Sequence, residues 1–100
     1  MSAFMIFVRE GAVRDPEALA EYSRQNRENA QLFSSTYNLK PLVVYGAMET
    51  LEGEAPDGIV MLQFPSAEEA KAWYNSPQYQ EALPHRMKGA DYRAILVEGF

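Results

Sequence analysis

The residues best suited to chemistry gather between positions 64 and 86, in the run FPSAEEAKAWYNSPQYQEALPHR. Histidine is the side chain that changes protonation near neutral pH, so His85, the single histidine, is the first candidate for a catalytic acid or base. A histidine directly after a proline also fits a plain helix end. Arg86 could hold a substrate carboxylate in bidentate fashion, or pair with an acidic residue or a helix C-terminus.

Aromatic and amide side chains extend this candidate site. Trp73 and Tyr79 could line a pocket, although aromatic residues at helical spacing usually face a core. Asn26 is a polar exception on the apolar face of the first predicted helix, and Tyr45 stands beside a glycine in a predicted strand. We predict one catalytic residue, His85, and five substrate-binding residues: Asn26, Tyr45, Trp73, Tyr79 and Arg86.

Composition excludes several other functions. The chain carries a formal net charge of −5 and has no cluster of Lys or Arg, so we expect no nucleic-acid or membrane partner. It has no cysteine and one histidine, without a familiar zinc-ligand spacing or a Gly-rich phosphate loop. We therefore predict no metal and no cofactor. The missing cysteines are compatible with a reducing cytoplasm, which is the expected location.

Four strands are predicted from apolar runs and turn signals. The second strand contains Gly46, which predicts a bulge or bend, and APDG at 55–58 is turn chemistry that makes residues 41–64 a hairpin. The predicted strands are Ala3 to Arg9, Lys40 to Glu54, Ile59 to Phe64 and Tyr92 to Phe100.

Two helical regions separate these strands. Asp15 and Pro16 fit the N-cap and first turn of a helix that continues to Phe33. Ser66 and Glu69 form a capping-box pattern for the second region, in which Ser76-Pro77 repeats the start signal. Pro84 is predicted to end or kink that last piece, because proline lacks the backbone donor that a helix needs.

The resulting order is β-α-β-β-α-β over a single domain, residues 1–100. This order is typical of the ferredoxin-like fold, an antiparallel four-stranded sheet with both helices on one face. The strands are apolar on both faces, however: Phe4, Ile6 and Val8 alternate with apolar neighbours. A monomer would expose one of these faces, so we predict a homodimer packed sheet to sheet about a twofold axis.

The residues that carry a family resemblance run along nearly the whole chain. They are DPE with Tyr22, LEGE at 51–54, FPSAEEAKAWYNSPQY at 64–79 and LVEG at 96–99. These motifs resemble the family called domain of unknown function 1330. That resemblance implies the dimeric α+β barrel superfamily, which includes cofactor-independent oxygenases, small isomerases, dehalogenase- or decarboxylase-like enzymes and members with no known reaction.

The chain departs from the family pattern after the first helix. Where relatives often have a glycine pair, this chain has Asn38 and Leu39, and Val44 stands at the position of an expected arginine. Lys40 keeps a positive charge nearby. The resemblance therefore supports no anion-binding role for the second strand here.

Two functions remain open on the sequence. The first is a homodimer that binds a small molecule in a cleft between sheet and helices. The second is a cofactor-independent enzyme of the oxygenase, isomerase or lyase type, acting on a small aromatic or carboxylated metabolite. A fold does not decide between them.

Overall fold

The computed structural model describes residues 1–100 and contains four strands and four helices. Three of the four helices follow a residue whose side chain caps them, and all four strands lie in one sheet. In chain order the elements are β1 (Ala3–Arg9), α1 (Pro16–Glu28), α2 (Ala30–Tyr37), β2 (Lys40–Val44), β3 (Gly58–Phe64), α3 (Ala67–Tyr74), α4 (Pro77–Gly89) and β4 (Tyr92–Glu98).

The four strands form one antiparallel sheet in the order β2-β3-β1-β4. The central strand β1 places Met5 opposite Leu62 on one side and Leu96 on the other. The helices contribute to a single core on one face of this sheet. The predicted ferredoxin-like fold is therefore confirmed.

Alternation along β1 separates two faces of the sheet. Met5 and Phe7 are buried beneath the helices, against Trp73 and Tyr79. The opposite side of the sheet, which we call the outer face, has no helix over it. Its residues are partly or well exposed in the single chain: Phe4, Ile6, Val8, Ile59, Met61, Ile95 and Val97.

Three side chains cap the N-termini of helices, as the sequence predicts. Asp15 Oδ1 accepts from the Ala18 backbone N–H at 3.0 Å, and the Ser66 hydroxyl accepts from Glu69 N–H at 3.2 Å. Ser76 does the same for the N–H of Tyr79 at 3.2 Å. These bonds satisfy backbone donors that have no partner inside a helix.

Two elements differ from their predicted lengths. The first helix is divided at Asn29, whose φ and ψ of −97° and 6° separate α1 from α2. The second strand stops at Val44 instead of reaching Glu54, because Tyr45 adopts a φ of +53° that turns the chain out of the extended conformation. Residues 45–57 form a loop, and β2 pairs with β3 through a register shift between Pro41 and Val43.

Pro84 is predicted to end or kink its helix, and the predicted end is wrong, because α4 continues to Gly89. Proline removes the hydrogen bond that would reach the carbonyl of Gln80. Both residues are exposed, so water can bond that carbonyl instead. Consequently His85 and Arg86 lie within a regular helix. None of the helices is long and apolar enough to cross a bilayer.

Candidate ligand-binding cavity

A cavity of about 710 Å³ lies between the inner face of the sheet and the helices α1 and α2. This volume is in the range of small-molecule binding sites, about 300–1,000 Å³. Twelve of its 19 lining residues are hydrophobic, so the cavity suits a ligand with a mainly apolar body.

Three elements supply the apolar walls. Phe7 and Leu62 rise from the sheet, and both belong to the main hydrophobic core. Leu19 and Asn26 come from α1, while Phe33 comes from α2. These helix positions lie at the three- and four-residue steps that the sequence predicts for one face.

Arg86 places a positive charge in this wall. Its side chain is 5% exposed and sits among aromatic rings. The guanidinium carbon lies 5.3 Å from the ring centre of Phe7, 6.0 Å from that of Tyr22 and 5.1 Å from that of Tyr92. These are cation–π distances, so the rings partly replace the water that the cation has lost.

Tyr45 lines the open side of the cavity. Its hydroxyl lies 2.6 Å from the hydroxyl of Tyr92, and Arg9 lies over its ring at 5.8 Å. A Cβ on Gly58 would come within 2.8 Å of the Tyr45 ring, so only glycine leaves room for it. The positive φ of Tyr45 is unusual for a large side chain and marks a backbone held by its surroundings.

A second pair of tyrosines lies beside Arg86. The hydroxyls of Tyr22 and Tyr79 are 2.8 Å apart, and Tyr79 is fully buried. Burial, with a contribution from Tyr79, raises the pKa of Tyr22 well above its ordinary value. Burial also raises the pKa of Tyr79, with the charge of Arg86 acting in the opposite direction. Both hydroxyls are therefore protonated at neutral pH and can act as hydrogen-bond donors.

This pair predicts a loss of stability in alkali. Above pH 10 the unfolded chain releases protons that the folded pair keeps, so the free energy of unfolding falls as pH rises. The expected slope is up to about 1.4 kcal/mol per pH unit for each such tyrosine. Urea unfolding between pH 9 and 11 measures it. A Tyr22→Phe variant should show a shallower slope, and an unchanged slope would contradict the prediction.

Four buried polar atoms in the structure have no hydrogen-bond partner: Arg9 Nε, Asn26 Oδ1, Trp73 Nε1 and Arg86 Nε. All four of these residues line the cavity. Buried polar atoms are normally bonded, and leaving one without a partner costs about 1–3 kcal/mol. The concentration of these residues around one cavity makes it the candidate binding site of the molecule.

The structure brings together four of the six residues predicted for a site. Asn26, Tyr45, Trp73 and Arg86 line the cavity. Tyr79 lies behind the wall, where it contacts the lining residues Tyr22 and Trp73. The catalytic candidate His85 does not line the cavity. It is half-buried on α4, near Glu21 of α1, so its catalytic role stays a prediction without support from this geometry.

Sequence reasoning missed several polar residues of the cavity, and three of them contribute to its aromatic and cationic wall. Arg9 and Tyr92 are opposite each other in the register of β1 and β4, although they are far apart in sequence. Tyr22 was recognised only as part of an apolar helix face. The signal available in the sequence was the end of β1, where an arginine follows an apolar strand. No group of three or more His, Cys, Asp or Glu side chains converges to hold a metal.

The sheet order and the single helix layer define a ferredoxin-like α+β protein, here with an arginine-containing cavity beneath its helices. Within that class, residues 2–100 match the family described as domain of unknown function (DUF1330), and the chain belongs to that family. No curated protein matches the sequence.

Solved structures with the same fold are similar over almost the whole chain. A protein of unknown function from Rhodopseudomonas palustris is 21% identical with a TM-score of 0.71, covering 99% of this chain and 82% of that one. A dimeric ferredoxin-like protein of unknown function from Thermobifida fusca is 14% identical with a TM-score of 0.65, covering 99% and 92%. Another, from Jannaschia, is 8% identical with a TM-score of 0.70, covering 99% and 100%. At these identities the likeness concerns the fold.

Proposed function

We propose that this protein is a homodimer that binds a small, mainly apolar molecule in the cavity between its sheet and helices. The observation that carries the proposal is the set of buried, unpartnered polar atoms that belong to cavity-lining residues. A mainly apolar cavity with a few polar groups is the usual composition of a small-molecule site. The four atoms themselves are closed to solvent, so a ligand in the cavity bonds them only after their side chains turn toward it.

The proposed homodimer rests on the outer face of the sheet. Seven apolar side chains lie there without helices over them, and Ile6 stands between Met61 and Ile95 at its centre. A contiguous apolar surface of this kind is unusual on a monomer. A second copy packed on the same face covers it symmetrically. Two of the similar solved structures are themselves described as dimeric.

Enzyme activity is the second candidate, and the Tyr22–Tyr79 pair beside Arg86 favours it. When the Tyr79 hydroxyl donates to Tyr22, the Tyr22 hydroxyl on the cavity wall is free to donate, and beside a cation it can polarise a carbonyl or stabilise an oxyanion. The same pair does not serve as a base at neutral pH, because burial raises both pKa values. The cavity is therefore better suited to binding and polarising a ligand than to removing a proton from it.

The binding proposal is tested through Trp73, the only tryptophan in the chain and a residue of the cavity wall. We expect 2-naphthoate or its neutral analogue 2-naphthamide to shift the single indole N–H resonance saturably in ¹H–¹⁵N NMR titrations. The expected dissociation constant is about 1 mM or below, the affinity that about 0.3 kcal/mol per non-hydrogen atom gives ligands of this size.

Two adjacent serines on α2 provide a matched control. Both are exposed, but Ser34 lines the mouth of the cavity and Ser35 does not line it. The Ser34→Phe variant should weaken binding of the probes by filling space, and Ser35→Phe should bind them as the wild type does. If neither probe shifts Trp73, or if the two variants behave alike, the proposed cavity site is wrong.

A further inference from the structure

Arg86 is a buried cation without a counter-ion. The ion pairs of this protein involve other residues throughout, and none reaches Arg86. Its Nε is buried and makes no hydrogen bond, while its side chain is only 5% exposed. Buried charges in proteins are normally paired, because removing a charge from water is costly.

The aromatic rings around Arg86 replace only part of the water that its buried guanidinium has lost. The three rings around the guanidinium are each at cation–π distance. These rings attract the cation through their faces but supply no negative charge, so the guanidinium remains without a counter-ion. The ring faces cannot accept the in-plane hydrogen bonds that a guanidinium offers, and the neutral Tyr79 hydroxyl close to Arg86 supplies no counter-charge.

The cavity as a whole also carries an excess of positive charge. The chain as a whole is acidic, with a net charge of −5. Yet three arginines line the cavity, Arg9, Arg27 and Arg86, and no aspartate or glutamate does. Arg9 donates one bond to the backbone oxygen of Asp57 at 2.9 Å, but its Nε is also buried without a partner.

We propose that the ligand is an organic acid whose carboxylate pairs with Arg86 while its aromatic or aliphatic body packs against Phe33, Leu62 and Trp73. This inference rests on the proposed binding function and specifies the chemical class of the ligand. A carboxylate supplies the missing negative charge and matches the planar donors of a guanidinium. It also needs fewer donors than a phosphate, which suits a wall that is otherwise apolar.

The experiment compares 2-naphthoate with 2-naphthamide, which differ in charge at nearly constant shape. Wild-type protein should bind the carboxylate at least about tenfold more tightly, the effect of one charge-assisted interaction. Arg86→Met should lose about that factor for the carboxylate and keep the affinity for the amide. Arg24→Met is the control. Arg24 is an exposed residue of α1 whose ion pairs lie outside the cavity, so its removal should change neither affinity.

The outcomes separate this inference from the binding proposal. Equal affinity for the two probes in wild-type protein would overturn the carboxylate inference and leave the cavity site standing. If wild-type protein binds neither probe, both proposals are overturned. If Arg86→Met does not fold, Arg86→Lys is used instead, because it keeps the positive charge but lacks the planar guanidinium. It should then retain a weakened preference for the carboxylate, and an unchanged preference would contradict a role for the guanidinium.

Discussion

An Ile95→Glu substitution is expected to convert the proposed homodimer into a monomer. Ile95 lies on the outer face in the edge strand β4, directly opposite the central Ile6 of the neighbouring strand, and is 42% exposed in the single chain. In a sheet-to-sheet dimer it is buried, and the twofold axis brings two introduced carboxylates into the same apolar interface. Burying unpaired carboxylates costs several kcal/mol, enough to dissociate an interface held by apolar contact.

Light scattering coupled to gel filtration, at micromolar protein, measures this result directly. Leu32→Glu is the control, since Leu32 lies on α2 in the helix layer, away from the outer face. Its exposed fraction of 37% is similar to the 42% of Ile95. We expect the control to remain dimeric. A wild-type protein that elutes as a monomer, or a dimer that survives Ile95→Glu, would contradict an interface on the outer face.

A Trp73→Ala substitution is expected to lower the free energy of unfolding by about 3–5 kcal/mol. Trp73 is 2% exposed and joins the core to the cavity wall. Its ring centre lies 4.2 Å from that of Tyr79, 5.4 Å from Phe64 and 6.0 Å from Phe33. Removing the indole deletes these contacts and opens the core toward the cavity, where water can follow.

Urea unfolding at one fixed protein concentration checks this value, because dimer dissociation makes the apparent stability depend on concentration. Tyr74→Ala is the comparison. Tyr74 is the adjacent residue and half-buried, so its loss should cost less, about 1–2 kcal/mol. Equal costs for the two variants would show that Trp73 is not the centre of the core.

The chemistry of helix starts made much of the fold predictable. Asp15, Ser66 and Ser76 each accept the backbone bond expected of them, because an N-cap depends on residues within three positions. The capping box of α3 forms only in part. The carboxylate of Glu69 accepts from the side-chain amide of Asn38 at 3.2 Å, and that residue is distant in sequence.

Element ends were predicted less well where a tertiary contact decides them. The strand that begins at Lys40 has apolar residues beyond Val44, so its pattern continues in the sequence. In the structure Tyr45 turns away to meet Tyr92, and Gly58 leaves space for its ring. That contact joins β2, β3 and β4, and local propensity carries no information about it.

The sequence by itself determined the strands, the helix starts, the apolar character of both sheet faces and four of the cavity residues, since each follows from spacing along one segment. The tertiary structure alone decided that Arg9, Tyr92 and Arg86 share a cavity and that His85 lies outside it. The reason is geometric. Strand pairing sets Arg9 opposite Tyr92, and the unbroken helix through Pro84 turns adjacent residues about 100° apart, so Arg86 lines the cavity and His85 does not.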